Sequence, residues 1–172
     1  MTQSPIGGHD GPYPAPVVVA GRVVAPEWID FNGHMNVGYY GIAFDQAADI
    51  LFEDHLGLGE AHVAQAGQGS FVLQEQTHFL NELREGEGFS VRFRVVDHDS
   101  KRLHVFAEMI RDGDDAICAT QEVISMNVDH TTRRSAVYPD WALRRLARMK
   151  SDHAGLDRPP QLGAPLGLRQ PR

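Results

Sequence analysis

Between Trp28 and Tyr40 the chain reads WIDFNGHMNVGYY. Asp30, Asn32, His34 and Asn36 alternate around one glycine, Gly33, and an apolar 3.6-residue period starts directly afterwards. A carboxylate can serve as nucleophile or general base, and an imidazole can orient it or assist a leaving group. A helix N-terminus adds amide N–H groups that lack intrahelical acceptors and carry the positive end of the dipole, which suits a developing oxyanion. With Asn36 as N-cap, its side chain bonds the amide of Gly38 or Tyr39, and the Val37 amide stays free for a ligand. Gly38 in the first turn permits close approach to the backbone. The same residues have plainer roles: Asp30 as an Asx-turn former, Asn36 as a cap alone, Asn32 as a turn residue.

The elements around this stretch follow from periodicity. VVVAGRVV (17–24) is a β-branched first strand. From Val37 a helix is expected, with Val37, Tyr40, Phe44, Ala47 and Leu51 in one apolar stripe and Asp45, Asp49 and Glu53 in a narrow polar one. So little polar surface predicts a mostly buried helix, ending at Gly57 or Gly59. AHVAQAGQGS reads as a short helix and a loop. The period then changes to 2, with strands over 70–83, 89–97, 101–111 and 116–128 separated by REGEG, DHDS and RDGDD, so that this part of the sheet is antiparallel. DWALRRLARMK predicts a last helix with Asp140 as N-cap. The expected organisation is a flexible leader over 1–15, one domain over 16–150 and a disordered tail over 151–172. The class is α+β, with a long antiparallel sheet on one side of a central helix.

Composition narrows the function. At 172 residues and 42% hydrophobic content, the chain suits one domain with a substantial core. No run reaches the roughly 20 apolar residues of a membrane helix, and the start has neither a basic nor an apolar signal region. Cys118 stands alone, which excludes an internal disulfide and fits a reducing cytoplasm; in its strand-like run it reads as an inert core thiol. A net charge of −7 gives no nucleic-acid footprint. Neither a Walker nor a GxGxxG motif nor a His/Cys cluster is present, so neither a cofactor nor a metal is expected.

The stretch DFNGHMNVGYY (30–40) resembles the Asp-x-x-Gly…Tyr signature of hotdog acyl-CoA thioesterases related to 4-hydroxybenzoyl-CoA thioesterase, in a His-Met-Asn version. VAPEWIDFNGHMN, SKRLHVF and VDHTTRRSA are similar to the thioesterases linked or fused to carnitine dehydrogenase, which act on betainyl-CoA. Val37 departs from the second Asn of many His-Met-Asn sequences, and no dinucleotide-binding half accompanies the domain. The resemblance implies a hotdog fold over 16–150 and hydrolysis of an acyl-CoA, the acyl group short and polar or betaine-like. It implies a homodimer or homotetramer with its site at the interface. Asp30 falls at the catalytic carboxylate, with the Val37 amide as oxyanion donor, His34 and Asn36 positioning the site, and Gly33 shaping the turn. Lys101 and Arg102 are the expected partners of the CoA phosphates. Glu75 and His78 lie three apart in a period-2 strand, so only one of them faces the helix and can complete a site. Trp28, Phe31 and Tyr39 are candidates to surround a quaternary ammonium, each contact worth about 0.5–2 kcal/mol. Two other functions share the fold. A non-catalytic acyl-CoA sensor is one. An enoyl-CoA hydratase is the other, disfavoured because the Asp-x-Asn-Pro-x-His pattern lacks its Pro and has its His one residue early.

Overall fold

The computed structural model describes residues 4–168. Strand β1 (Val17–Val23) leads through a 3₁₀ turn at Pro26–Trp28 into helix α1 (Val37–Ile50), which continues as a π-helical turn over Leu51–Leu56 and ends at Gly57 in the left-handed conformation. Helix α2 (Glu60–Ala66) follows. The sheet then forms from β2 (Gln68–Phe79), β3 (Gly88–His98), β4 (Arg102–Arg111), β5 (Ile117–Asp129) and the short β6 (Arg134–Ser135), and helix α3 is Asp140–Asp152. Every pairing is antiparallel, in the order β1-β3-β4-β5-β2 with β6 on β5. One long antiparallel sheet around one central helix is the hotdog plan.

Alternation builds the core. Phe89, Val91, Phe93 and Val95 of β3 are buried in one cluster with Tyr40, Ala43, Phe44 and Ala47 of α1. Trp141, Ala142, Leu146 and Met149 of α3 join the same cluster, and the buried Arg145 reaches the Leu56 carbonyl at 3.0 Å. Cys118 is fully buried, and burial pushes its thiol up, as suits a structural residue.

Four features differ from the periodic reading. Helix α1 is buried on one face only: Val37 is 63% exposed and Ile42 45%, because no element among the described residues covers them. Strand β2 stops at Phe79, and the following loop turns back, with Leu80 and Asn81 N–H both donating to the Cys118 carbonyl. Asp140 is the first residue of α3 rather than its cap; Pro139 precedes it with no side-chain cap bond. Finally, the described parts of leader and tail are docked. Tyr13 is buried and its N–H donates to Asp152, while Asp10 pairs with Arg145. In the tail, Gly163 N–H donates to Glu122, and the Gln76 amide donates to the Ala164 carbonyl. These contacts are long-range, so composition does not reveal them; residues 1–3 and 169–172 lie outside the described chain. Among the described residues no helix is long and apolar enough to cross a membrane.

Candidate active site

The WIDFNGHMN stretch folds onto itself. Ile29 and Met35 form an antiparallel bridge, the Asp30 N–H donates to the His34 carbonyl at 3.1 Å, and the Gly33 N–H donates to the Asp30 carbonyl at 2.9 Å. Gly33 has φ +80°, where a side chain is strained, and so it closes the turn. The turn is tied to the fold at two points: the Asn36 N–H donates to the Trp28 carbonyl at 2.8 Å and the Met35 N–H to the Leu83 carbonyl at 2.7 Å. Tyr40, in the first turn of α1, accepts from the Leu83 N–H at 3.2 Å. The early end of β2 places that loop here.

Asp30 sits at the mouth of α1. One carboxylate oxygen accepts from the Asn32 N–H at 2.8 Å, and the other from the Asn36 amide at 3.1 Å. Asn36 is the N-cap, its Oδ1 accepting from the Gly38 N–H at 3.0 Å. One asparagine therefore joins carboxylate to helix. The bond from the Asn32 backbone, with those from the side chains of Asn36 and Asn32 and the nearby His34, holds the Asp30 carboxyl below its ordinary value against a smaller opposing effect of burial. Asp30 is thus a carboxylate at neutral pH. The Tyr39 N–H bonds the Asn36 carbonyl, and among the described residues the Val37 N–H has no acceptor. His34 Nδ1 lies 3.2 Å from the Met35 carbonyl, to which it donates.

A cavity of about 380 Å³ lies between α1 and the concave face of the sheet. Gly41, one turn beyond Val37, borders it, followed on the same helix by Asp45, Ala48 and Asp49. Phe93, Val105, Ala107, Val123, Gln121 and Ser125 form its floor. Glu75 lines this cavity; His78 lies 3.1 Å from the Gln76 amide, which bonds the tail on the opposite face of β2. Trp28 and Tyr39 stack on each other at 5.6 Å, whereas Phe31 is 97% exposed. Lys101 reaches Ser135, and Arg102 pairs with Asp99. Both stand at the end of β4 away from the motif, a ten-residue strand spanning about 30 Å. The cations beside the motif loop are Arg84, paired with Glu82, and Arg111, which donates to the Glu82 carbonyl. The sequence pattern does not single these out, because they arrive through the β2–β3 turn and the far end of β4. Among the described residues no group of three or more His, Cys, Asp or Glu is placed to hold a metal ion.

Known proteins agree with this geometry. The model of the Thioesterase-like superfamily matches residues 24–146. A betainyl-CoA thioesterase of Pseudomonas aeruginosa is 32% identical over 145 residues, covering 84% of this chain and 91% of the relative. An L-carnitine dehydrogenase/betainyl-CoA thioesterase of Ruegeria pomeroyi is 29% identical over 91% of this chain, which spans 31% of that longer protein. Among solved structures, a Staphylococcus aureus protein in complex with CoA superposes with a TM-score of 0.82 at 26% identity, covering 97% of this chain and 100% of its own. A Pseudomonas putida protein shares the fold, with a TM-score of 0.75 at 24% identity over 90% and 98% of the two chains. The fold and its neighbours define a hotdog acyl-CoA thioesterase, an enzyme that hydrolyses a thioester to a free acid and CoA. The chain belongs to the Thioesterase-like superfamily.

Proposed function

We propose that Asp30 carries out this hydrolysis at the N-terminus of α1, on an acyl-CoA with a short polar or betaine-like acyl group. The observation that carries the reading is the Asp30–Asn36–Gly38 chain of hydrogen bonds, which holds an ionised carboxylate beside the unpaired Val37 amide. The Val37 N–H donates to the thioester oxygen as negative charge develops on it, and one such donor is worth about 10²–10³ in rate. As general base, Asp30 takes a proton from water, the hydroxide adds to the carbonyl, and the tetrahedral intermediate expels CoA thiolate, which recovers the proton. As nucleophile, Asp30 adds to the carbonyl itself, CoA thiolate leaves, and water cleaves the mixed anhydride. His34 and Asn36 position the carboxylate, and Gly33 leaves the turn open to substrate.

The betaine-like acyl group is supported by the named relatives in P. aeruginosa and R. pomeroyi. A homodimer or homotetramer is supported by the uncovered apolar side chains of β2 and α1: Val72, Leu73, Phe79, Val37 and Ile42. An edge strand of this kind calls for pairing or cover. The lone cysteine suits the cytoplasm.

Thiol release from betainyl-CoA and from aliphatic and aromatic acyl-CoAs tests the substrate, with Asp30→Asn in parallel. A betainyl-CoA preference that vanishes in the variant is expected. A single turnover in ¹⁸O water then bears on the two chemical routes, since label in the Asp30 carboxylate arises only when an aspartyl anhydride forms and water adds to its aspartyl carbon.

A further inference from the structure

The cavity under α1 is walled by acid. Asp45 and Asp49 of α1, Glu60 of α2 and Glu75 of β2 border it, and no Lys, Arg or His among the described residues does. None of these four carboxylates has an ion-pair partner among the described residues. Asp49 is raised above the ordinary carboxylate value, first by burial and then by the like charges of Asp45 and Glu60. Repulsion of this kind is relieved when a cation enters.

A second observation, independent of charge, marks the same space as a ligand site. Gln121 is 8% exposed and lines the cavity, and its side-chain amide has no partner among the described residues. The exposed remnant of this residue is its cavity side, where solvent or a ligand completes the amide. The carboxylates are not gathered closely enough for a metal ion. Between them the walls are apolar, with Phe52, Phe93 and Val123. An alkylated ammonium, diffuse in charge and apolar at its surface, fits such walls.

We propose that this cavity is the acyl pocket and that Asp45 and Asp49 select acyl groups bearing a positive charge. The proposal rests on hydrolysis at Asp30. Asp45 stands eight residues from Val37, about 12 Å of helical rise, with Gly41 between them at the cavity border. Within one chain, an ammonium several bonds from the thioester touches the carboxylates, and one closer to the thioester feels their field across an apolar gap. CoA, which is polyanionic, stays outside this space.

The test compares each charged substrate with its neutral isostere. Betainyl-CoA is set against 3,3-dimethylbutanoyl-CoA, and 4-trimethylammoniobutanoyl-CoA against 5,5-dimethylhexanoyl-CoA. Wild-type enzyme is expected to favour the charged member of at least one pair by about tenfold or more in kcat/KM. Asp45→Asn, Asp49→Asn and the double variant are expected to reduce that ratio stepwise, with hydrolysis of the neutral member retained. Both aspartates stand solvent-exposed at the open rim of the cavity and hold no ion pair among the described residues, so melting temperatures near wild type are expected and verify folding. Equal hydrolysis of charged and neutral members by the wild type overturns the proposal, as does a ratio that survives in folded single and double variants. Absence of thiol release from all four substrates would instead point to the Asp30 reading, and so the two failures are told apart.

Discussion

The motif turn and the cavity are built in opposite ways. The turn gathers Asp30, Gly33, His34 and Asn36 within seven consecutive positions, and hydrogen bonds among neighbours hold it. The cavity gathers Gly41, Asp45, Phe93, Val105, Gln121 and Glu75 from one helix and four strands, held by strand register and apolar packing. Half-exposed polar groups with local bonds can be changed at small cost to folding, whereas a cavity wall is also the core. On the proposed reading, chemistry in this enzyme is thus written locally, and acyl selection across the sheet.

Substitutions can break that division. Phe93 is 3% exposed and forms both core and cavity wall, so Phe93→Ala is expected to cost about 3–5 kcal/mol of stability. Chemical denaturation checks this, and a loss below about 1 kcal/mol would separate the wall from the core. Asp30→Asn is expected to lower kcat by at least about 10² with an unchanged melting temperature. Wild-type-like turnover in that variant removes Asp30 from the chemistry.

Smaller effects sharpen the comparison. Asn36→Ala removes the helix cap and one bond to Asp30, and is expected to cost about 1 kcal/mol in stability. Because the Asn32 backbone bond, with the Asn36 side-chain bond after it, holds Asp30 below its ordinary value, activity should persist as pH falls until the carboxylate takes a proton. The acid limb of kcat/KM is expected below pH 3.8 in wild type and nearer 3.8 in Asn36→Ala. An unmoved limb would show that Asn36 caps the helix without tuning the carboxylate.

The smallest effect lies far from both regions. His153 Nδ1 accepts from the Val95 N–H at 2.9 Å and its Nε2 donates to the Pro14 carbonyl at 2.8 Å, so the ring is held neutral, and burial lowers its pKa from 6.5. The unfolded chain takes up this proton first as pH falls. The contribution is therefore complete above pH 6.5 and lost progressively below it, toward the lower folded value. His62, also lowered by burial, has the same sign. Melting temperature is expected to fall between pH 7 and 5, and a flat profile across that window refutes the assignment.

Much of this was legible without coordinates. The Asn36 cap, which the structure seats on the Gly38 rather than the Tyr39 amide, the inward alternation of Phe89, Val91, Phe93 and Val95, and the antiparallel sense of the sheet follow from spacing, because these patterns are local. The strand order does not, since β2 pairs with the distant β5 and not with β3 across its REGEG turn. Spacing also required Glu75 and His78 to point to opposite faces of β2, but the inward one was known only once β2 was seated against α1. The apolar surface of α1 implied a mostly buried helix, yet Val37 and Ile42 lie uncovered, since a period counts apolar faces and not the elements that cover them.

The sequence by itself determined a carboxylate, a turn and a capped helix in fixed succession, because hydrogen bonds between residues a few positions apart need little else. Only the tertiary structure decided that Leu83 would anchor the turn, that Arg84 and Arg111 would stand near it, and that Gln121 would face four carboxylates across one cavity. Those meetings depend on strand register and on the early end of β2, which cooperative packing of the whole sheet sets and no short stretch encodes.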